Sequence, residues 1–142
     1  MISLSVPTIY LPIEPDATKC ETLLNSVINA LEKQSTDIED SYNKSYAILS
    51  ALTMRAKNHL VLQKYQDSIE DALRVVVAIE EELASSNTAP SNTDDAYRIL
   101  AEAYEKMGNY SMAIQTLGKL SMINSAFATK VNNEIKRIMS LE

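Results

Sequence analysis

The sequence predicts an all-α protein of about six helices behind an extended N-terminal arm, and three observations carry that expectation. Helix breakers are scarce: the 142 residues hold 2 Gly and 4 Pro, and Pro7, Pro12 and Pro15 all sit near the start. Apolar residues then recur at the three- and four-residue intervals of a helix face from residue 17 onwards. Polar turn signals divide these stripes into lengths typical of globular helices.

Residues 1–16, MISLSVPTIYLPIEPD, read as the arm. Proline fixes φ and biases the residue before it towards extended geometry, so three prolines argue against a helix there. The arm is apolar (Ile9, Tyr10, Leu11, Ile13). It is expected to pack along the outside of the helices or to lie in a binding groove.

Residues 17–142 form a single helical domain on this reading. The first helix runs to about Gln34, with Leu23, Leu24, Val27, Ile28 and Leu31 as one stripe. Thr36 and Glu39 have capping-box spacing before a long second helix ending near Gln63. The third carries Ile69, Ala72, Leu73, Val76 and Ile79 on one face, with Glu80, Glu81 and Glu82 as a solvated face. The loop SSNTAPSNTD follows, and Asn92 or Thr93 is positioned to cap a fourth helix opening with Asp94 and Asp95. Gly108-Asn109 separates that helix from a fifth, and Ser125 is the expected cap of a sixth.

Composition narrows the function. Acidic residues outnumber basic ones 19 to 13, for a net charge of −6, and the basic residues are scattered. No nucleic-acid partner is expected, since phosphate binding calls for a basic face. The lone Cys20 excludes an intramolecular disulfide framework and fits a reducing compartment; it reads as a small buried apolar residue. No run approaches the roughly 20 apolar residues of a membrane span, and no secretory signal is evident, so a cytoplasmic protein is expected. His59, the only histidine, lacks a partner at catalytic or metal-ligand spacing and reads as packed. The methionines read mostly as core fillers. No enzyme activity, metal or cofactor is expected.

Residues 94–125, DDAYRILAEAYEKMGNYSMAIQTLGKLSMINS, carry the most informative pattern. Tyr97 opens the first helix, and Leu100, Ala101 and Tyr104 follow on its inner face. Gly108 ends that helix, Tyr110 opens the next, and Ala113, Leu117 and Leu120 continue it. The small residues Ala101 and Ala113 allow two antiparallel helices to approach, and Gly108 permits a tight turn. This spacing resembles the tetratricopeptide repeat, with Ser125 where the family's closing Pro stands. Residues 49–80 are a weaker copy with Ala56, Tyr65, Ser68, Ala72 and Val75 in place. That copy departs from the pattern at Leu52, His59 and Gln63-Lys64, and is offset by about 45 residues because EEELASSNTAPSNTD lengthens the unit. YEKMGNYSMAIQTL is also similar to the last repeat of the mitochondrial fission receptors, whose earlier half this chain does not match.

The resemblance implies antiparallel hairpins stacked as a short right-handed superhelix. It implies an adaptor or scaffold whose first helices grip a protein or peptide. Carried onto this sequence, the lining positions are Ser50, Thr53, Met54, Lys57, Leu60, Asp95, Arg98, Ile99, Glu102 and Lys106. The family's heat-shock carboxylate clamp is not reproduced: Met54, Asp95 and Ile99 stand where its asparagine and cations belong, and Asp95 repels a carboxylate. Two alternatives remain: a structural subunit or homo-oligomer that uses the helices as a packing surface, and a co-chaperone without that clamp.

Overall fold

The computed structural model describes residues 13–33 and 38–142. All regular structure among them is helical, in the order α1 (Ile13–Lys33), α2 (Ile38–Val61), α3 (Tyr65–Ser86), α4 (Thr93–Lys106), α5 (Tyr110–Ile123) and α6 (Ala128–Met139), with a 3-10 turn at Ser125–Phe127 before α6. The arm over residues 1–12 and the Thr36 cap lie outside the described residues. Ile13, Glu14 and Pro15, assigned to the arm from sequence, form the first turn of α1. Proline is tolerated there because first-turn N–H groups have no intrahelical acceptor.

Each helix packs on the next in sequence, so the core is continuous along the stack. It runs from Ile28 through Leu52, Ala56, Ile69, Val75 and Ile79 to Tyr97, Ala101, Ala113, Leu117, Val131 and Ile138. A fully buried leucine or isoleucine contributes about 1.5–3 kcal/mol relative to exposure. The small residues that the spacing singles out are buried in both hairpins: Ala101 and Ala113 in one, Ala56 and Ser68 in the other. The Ser68 hydroxyl donates to the Ala56 carbonyl at 2.7 Å, so the one polar group there is satisfied.

The two hairpin turns share one hydrogen-bond pattern. Between α4 and α5, Gly108 has φ +80°; its N–H donates to the Glu105 carbonyl, and Asn109 N–H reaches back to Tyr104. Between α2 and α3, Gln63 has φ +62°; its N–H donates to Leu60, and Lys64 N–H reaches back to His59. Both are Schellman closures. The second is made by a residue that pays the left-handed penalty glycine avoids.

Several local expectations are corrected. Asn124, not Ser125, caps the C-terminal segment by accepting from Ala126 N–H. Asn92 precedes α4 without capping it, because its amide is turned to Thr53. Cys20 is exposed. So are Met54, Met107, Met122 and Met139, which stand on faces or helix ends that no described element covers. Glu80 is not simply solvated: it accepts from the Tyr97 hydroxyl at 3.1 Å and meets Lys119. The α1 stripe divides, with Ile28 buried while Leu23 and Val27 face outwards.

Candidate functional site

A groove of about 440 Å³ lies between α2 and α4. Its α2 wall consists of Thr53, Met54, Lys57, Leu60 and Val61, and its α4 wall of Asp95, Arg98, Ile99 and Glu102. Both sets recur at helical spacing, so each helix presents a single edge. Eight of the ten positions named from sequence are therefore brought together, and Val61 joins them.

The other two fall at the ends. Asn92 Nδ2 donates to Thr53 Oγ1 at 3.3 Å and closes the groove on that side, leaving half-buried Ser50 a turn beyond. Lys106 lines an adjoining cavity of about 380 Å³ between α4, α5 and α6, which shares Arg98 and Glu102 with the groove. Ile99 is mostly buried and shows the groove only an edge, whereas Met54 is 61% exposed and Val61 47%.

The charges on the walls cancel, with Lys57 and Arg98 against Asp95 and Glu102. Arg98 is further engaged by Asp94 at 3.0 Å and by Glu134 of α6 at 2.7 Å. Burial pulls its pKa down, but the bonds and charges of Asp94 and Glu134 outweigh that, and the net shift is upwards. Its Nη2 is buried without an acceptor. Arg137 of α6 grips Glu105 of α4 through two bonds, at 2.8 and 2.9 Å, and holds that carboxyl below its ordinary range. These pairs link α4 to α6 on the side of the α4 wall.

Spacing alone missed a polar cluster behind the α2 wall. Arg55 of α2 is bidentate on Asp71 of α3, at 2.7 and 2.8 Å, and donates to Asn25 of α1 at 2.9 Å. The Asp71 bond raises the Arg55 pKa against the opposing effect of burial. His59 is buried with Nε2 3.4 Å from Asp71, while Nδ1 is 3.8 Å from Glu21 and has no hydrogen-bond partner. Glu21 is held by Lys64 at 2.8 Å, and Asn58 Nδ2 donates to the Ala17 carbonyl at 2.7 Å. The cluster ties three helices together. Its members lie tens of residues apart in the chain, so only their identities as buried polar side chains hinted at it.

No group of His, Cys, Asp and Glu among the described residues is arranged to hold a metal ion, and no described helix is long and apolar enough to cross a membrane. Comparison with protein-family models, with curated proteins and with solved structures finds no match to the chain.

Proposed function

We propose that this protein is an interaction module of the tetratricopeptide type, an adaptor that holds a helix or extended segment of a partner protein between α2 and α4. The observation that carries this reading is the groove itself. Thr53, Met54, Lys57 and Leu60 on one wall and Asp95, Arg98, Ile99 and Glu102 on the other converge on one concavity. Two hairpins closed by the same turn, at Gln63 and Gly108, support the repeat assignment. A groove with an apolar rim at Met54 and Val61 suits an amphipathic or uncharged segment, because the balanced charges favour neither sign. Asp95 on the wall speaks against capture of a C-terminal carboxylate, so a co-chaperone role would need another mode of grip.

The second reading, a subunit packed within a larger assembly or homo-oligomer, has its own observation. Leu73 and Val77 of α3 are exposed on a face away from the groove. Capture from cell extract with the native chain and with a Met54→Glu, Lys57→Glu variant separates the two. A protein retained by the native chain and lost by the variant supports the groove, and equal retention by both overturns it.

A further inference from the structure

The stretch EEELASSNTAPSNTD, which lengthens the first repeat-like unit, builds a cavity of its own. It continues α3 to Ser86, where Asn87 at φ +59° ends the helix and donates its N–H to the Leu83 carbonyl. The loop that follows lies against α2. Asn92 Nδ2 donates to Thr53 Oγ1, and the hydroxyls of Ser91 and Tyr46 are 3.4 Å apart. Between α2, the end of α3 and this loop is a cavity of about 610 Å³, a volume typical of ligand sites. Asn92 lines it and also closes the α2–α4 groove, so the two concavities are neighbours divided by that side chain.

The lining is apolar with an acidic edge. Tyr46 and Leu49 of α2, Ala78 and Ile79 of α3, and Ala89 and Pro90 of the loop supply the apolar part. Most of the neutral polar lining is already engaged. Ser85 donates to the Glu82 carbonyl, Thr88 to the Ser86 carbonyl and Asn92 to Thr53, while Ser45 adds an exposed hydroxyl. The charge has no such compensation. Glu81 and Glu82 line the cavity, and no described Lys, Arg or His does. Glu82 accepts from the Ser86 hydroxyl at 3.3 Å, and Glu81 meets no cation among the described residues. The last turn of α3 carries no basic residue either, so the negative end of its dipole adds to the two carboxylates. The α2–α4 groove differs in this respect, since Lys57 and Arg98 offset its acids.

We propose that this cavity is a second docking site, and that its occupant is a short basic segment of a partner protein with an apolar side chain beside a lysine or arginine. The apolar side chain packs on Leu49, Ile79 and Pro90, and the cation meets Glu81 and Glu82. The ring of Tyr46, 51% exposed, offers the same cation an aromatic face. From Ala78 to Ser85 the α3 wall is about 10 Å long, the length of about three extended residues. Nucleic acid and anionic lipid carry the wrong sign for two unpaired carboxylates.

The test titrates the ¹⁵N-labelled full chain with the acetylated, amidated peptide Leu-Lys-Leu-Arg and with its neutral counterpart Leu-Gln-Leu-Gln. The basic peptide should shift the amide resonances of Ala78, Glu82 and Ala89 and leave those of Lys57 and Glu102 in place. Glu81→Gln with Glu82→Gln, at two exposed positions, should weaken its binding about fivefold. Ala89→Arg, which sets a cation of the chain's own at the cavity, should weaken it at least as much. No shift, shifts centred on Lys57 and Glu102, or equal affinity for the two peptides overturns the proposal. So does unchanged affinity in either variant. Because the shifts report position, failure at this cavity leaves the α2–α4 reading standing, and failure of the capture experiment leaves this one.

Discussion

The guanidinium of Arg55 holds the carboxylate of Asp71 through two parallel hydrogen bonds and joins the second helix to the third behind the wall of the groove. Both side chains are largely buried, and breaking such a pair leaves one charge without its partner. Asp71→Ala is therefore expected to lower the unfolding free energy by about 3 kcal/mol, read from urea denaturation midpoints. Replacing both residues with apolar ones (Arg55→Met, Asp71→Leu) should cost less than the single change. Equal losses would mean that the pair is not acting as a unit.

The two hairpin turns make predictions of opposite sign. Gly108 has φ +80° and nothing within 4 Å of where a Cβ would sit, so Gly108→Ala carries a backbone cost alone. About 1 kcal/mol is expected. Gln63 bears that cost already, at φ +62°. Gln63→Gly should raise the thermal midpoint, less than Gly108→Ala lowers it, because glycine also loses more freedom on folding. Calorimetry of both variants checks the pair.

These turns also show what could be read in advance and what could not. Gly108-Asn109 announces its turn in the residue types, but Gln63 does not, and only its position after Leu60 and before Tyr65 implies the same closure. The groove was legible because its walls are two single helices, where intervals of three and four residues decide which side chains share an edge. Ser50 fell outside because Asn92 arrives from a loop, and loop side chains follow no period. The Asn25–Arg55–Asp71 link was not legible at all, since it depends on how three helices meet. Leu23 and Val27 looked like core because an apolar residue on a helix does not say whether a neighbour exists to cover it.

Tyr97 supplies the pH test. Its ring is fully buried; burial, followed by the charge and hydrogen bond of Glu80, raises the phenol's pKa above its ordinary 10.0. A raised folded-state value means that the unfolded chain ionises first. The contribution is complete below about pH 10 and is lost as pH climbs towards the folded-state value. Native stability should therefore fall above that point, and Tyr97→Phe should flatten the fall. An unchanged alkaline slope in Tyr97→Phe would assign it to other groups.

The wall charges give a prediction about selectivity. Lys57 and Arg98 balance Asp95 and Glu102, and Arg98 is already committed to Asp94 and Glu134. Lys57→Glu therefore leaves the groove acidic without disturbing the fold, because Lys57 is exposed. Binding of a captured partner should become more salt-dependent in this variant than in the native chain, measured as affinity against ionic strength. Identical salt slopes would mean that the partner does not approach Lys57.

The most direct measurement places a photo-crosslinking residue at Met54, on the groove rim, and in a second variant at Val77, on the far side of α3. Both positions are about half exposed or more, so neither insertion burdens the core. After irradiation in cell extract, the account predicts a discrete protein adduct from Met54 that is absent from Val77. No adduct from Met54, or the same adduct from both positions, would contradict a groove that holds a partner.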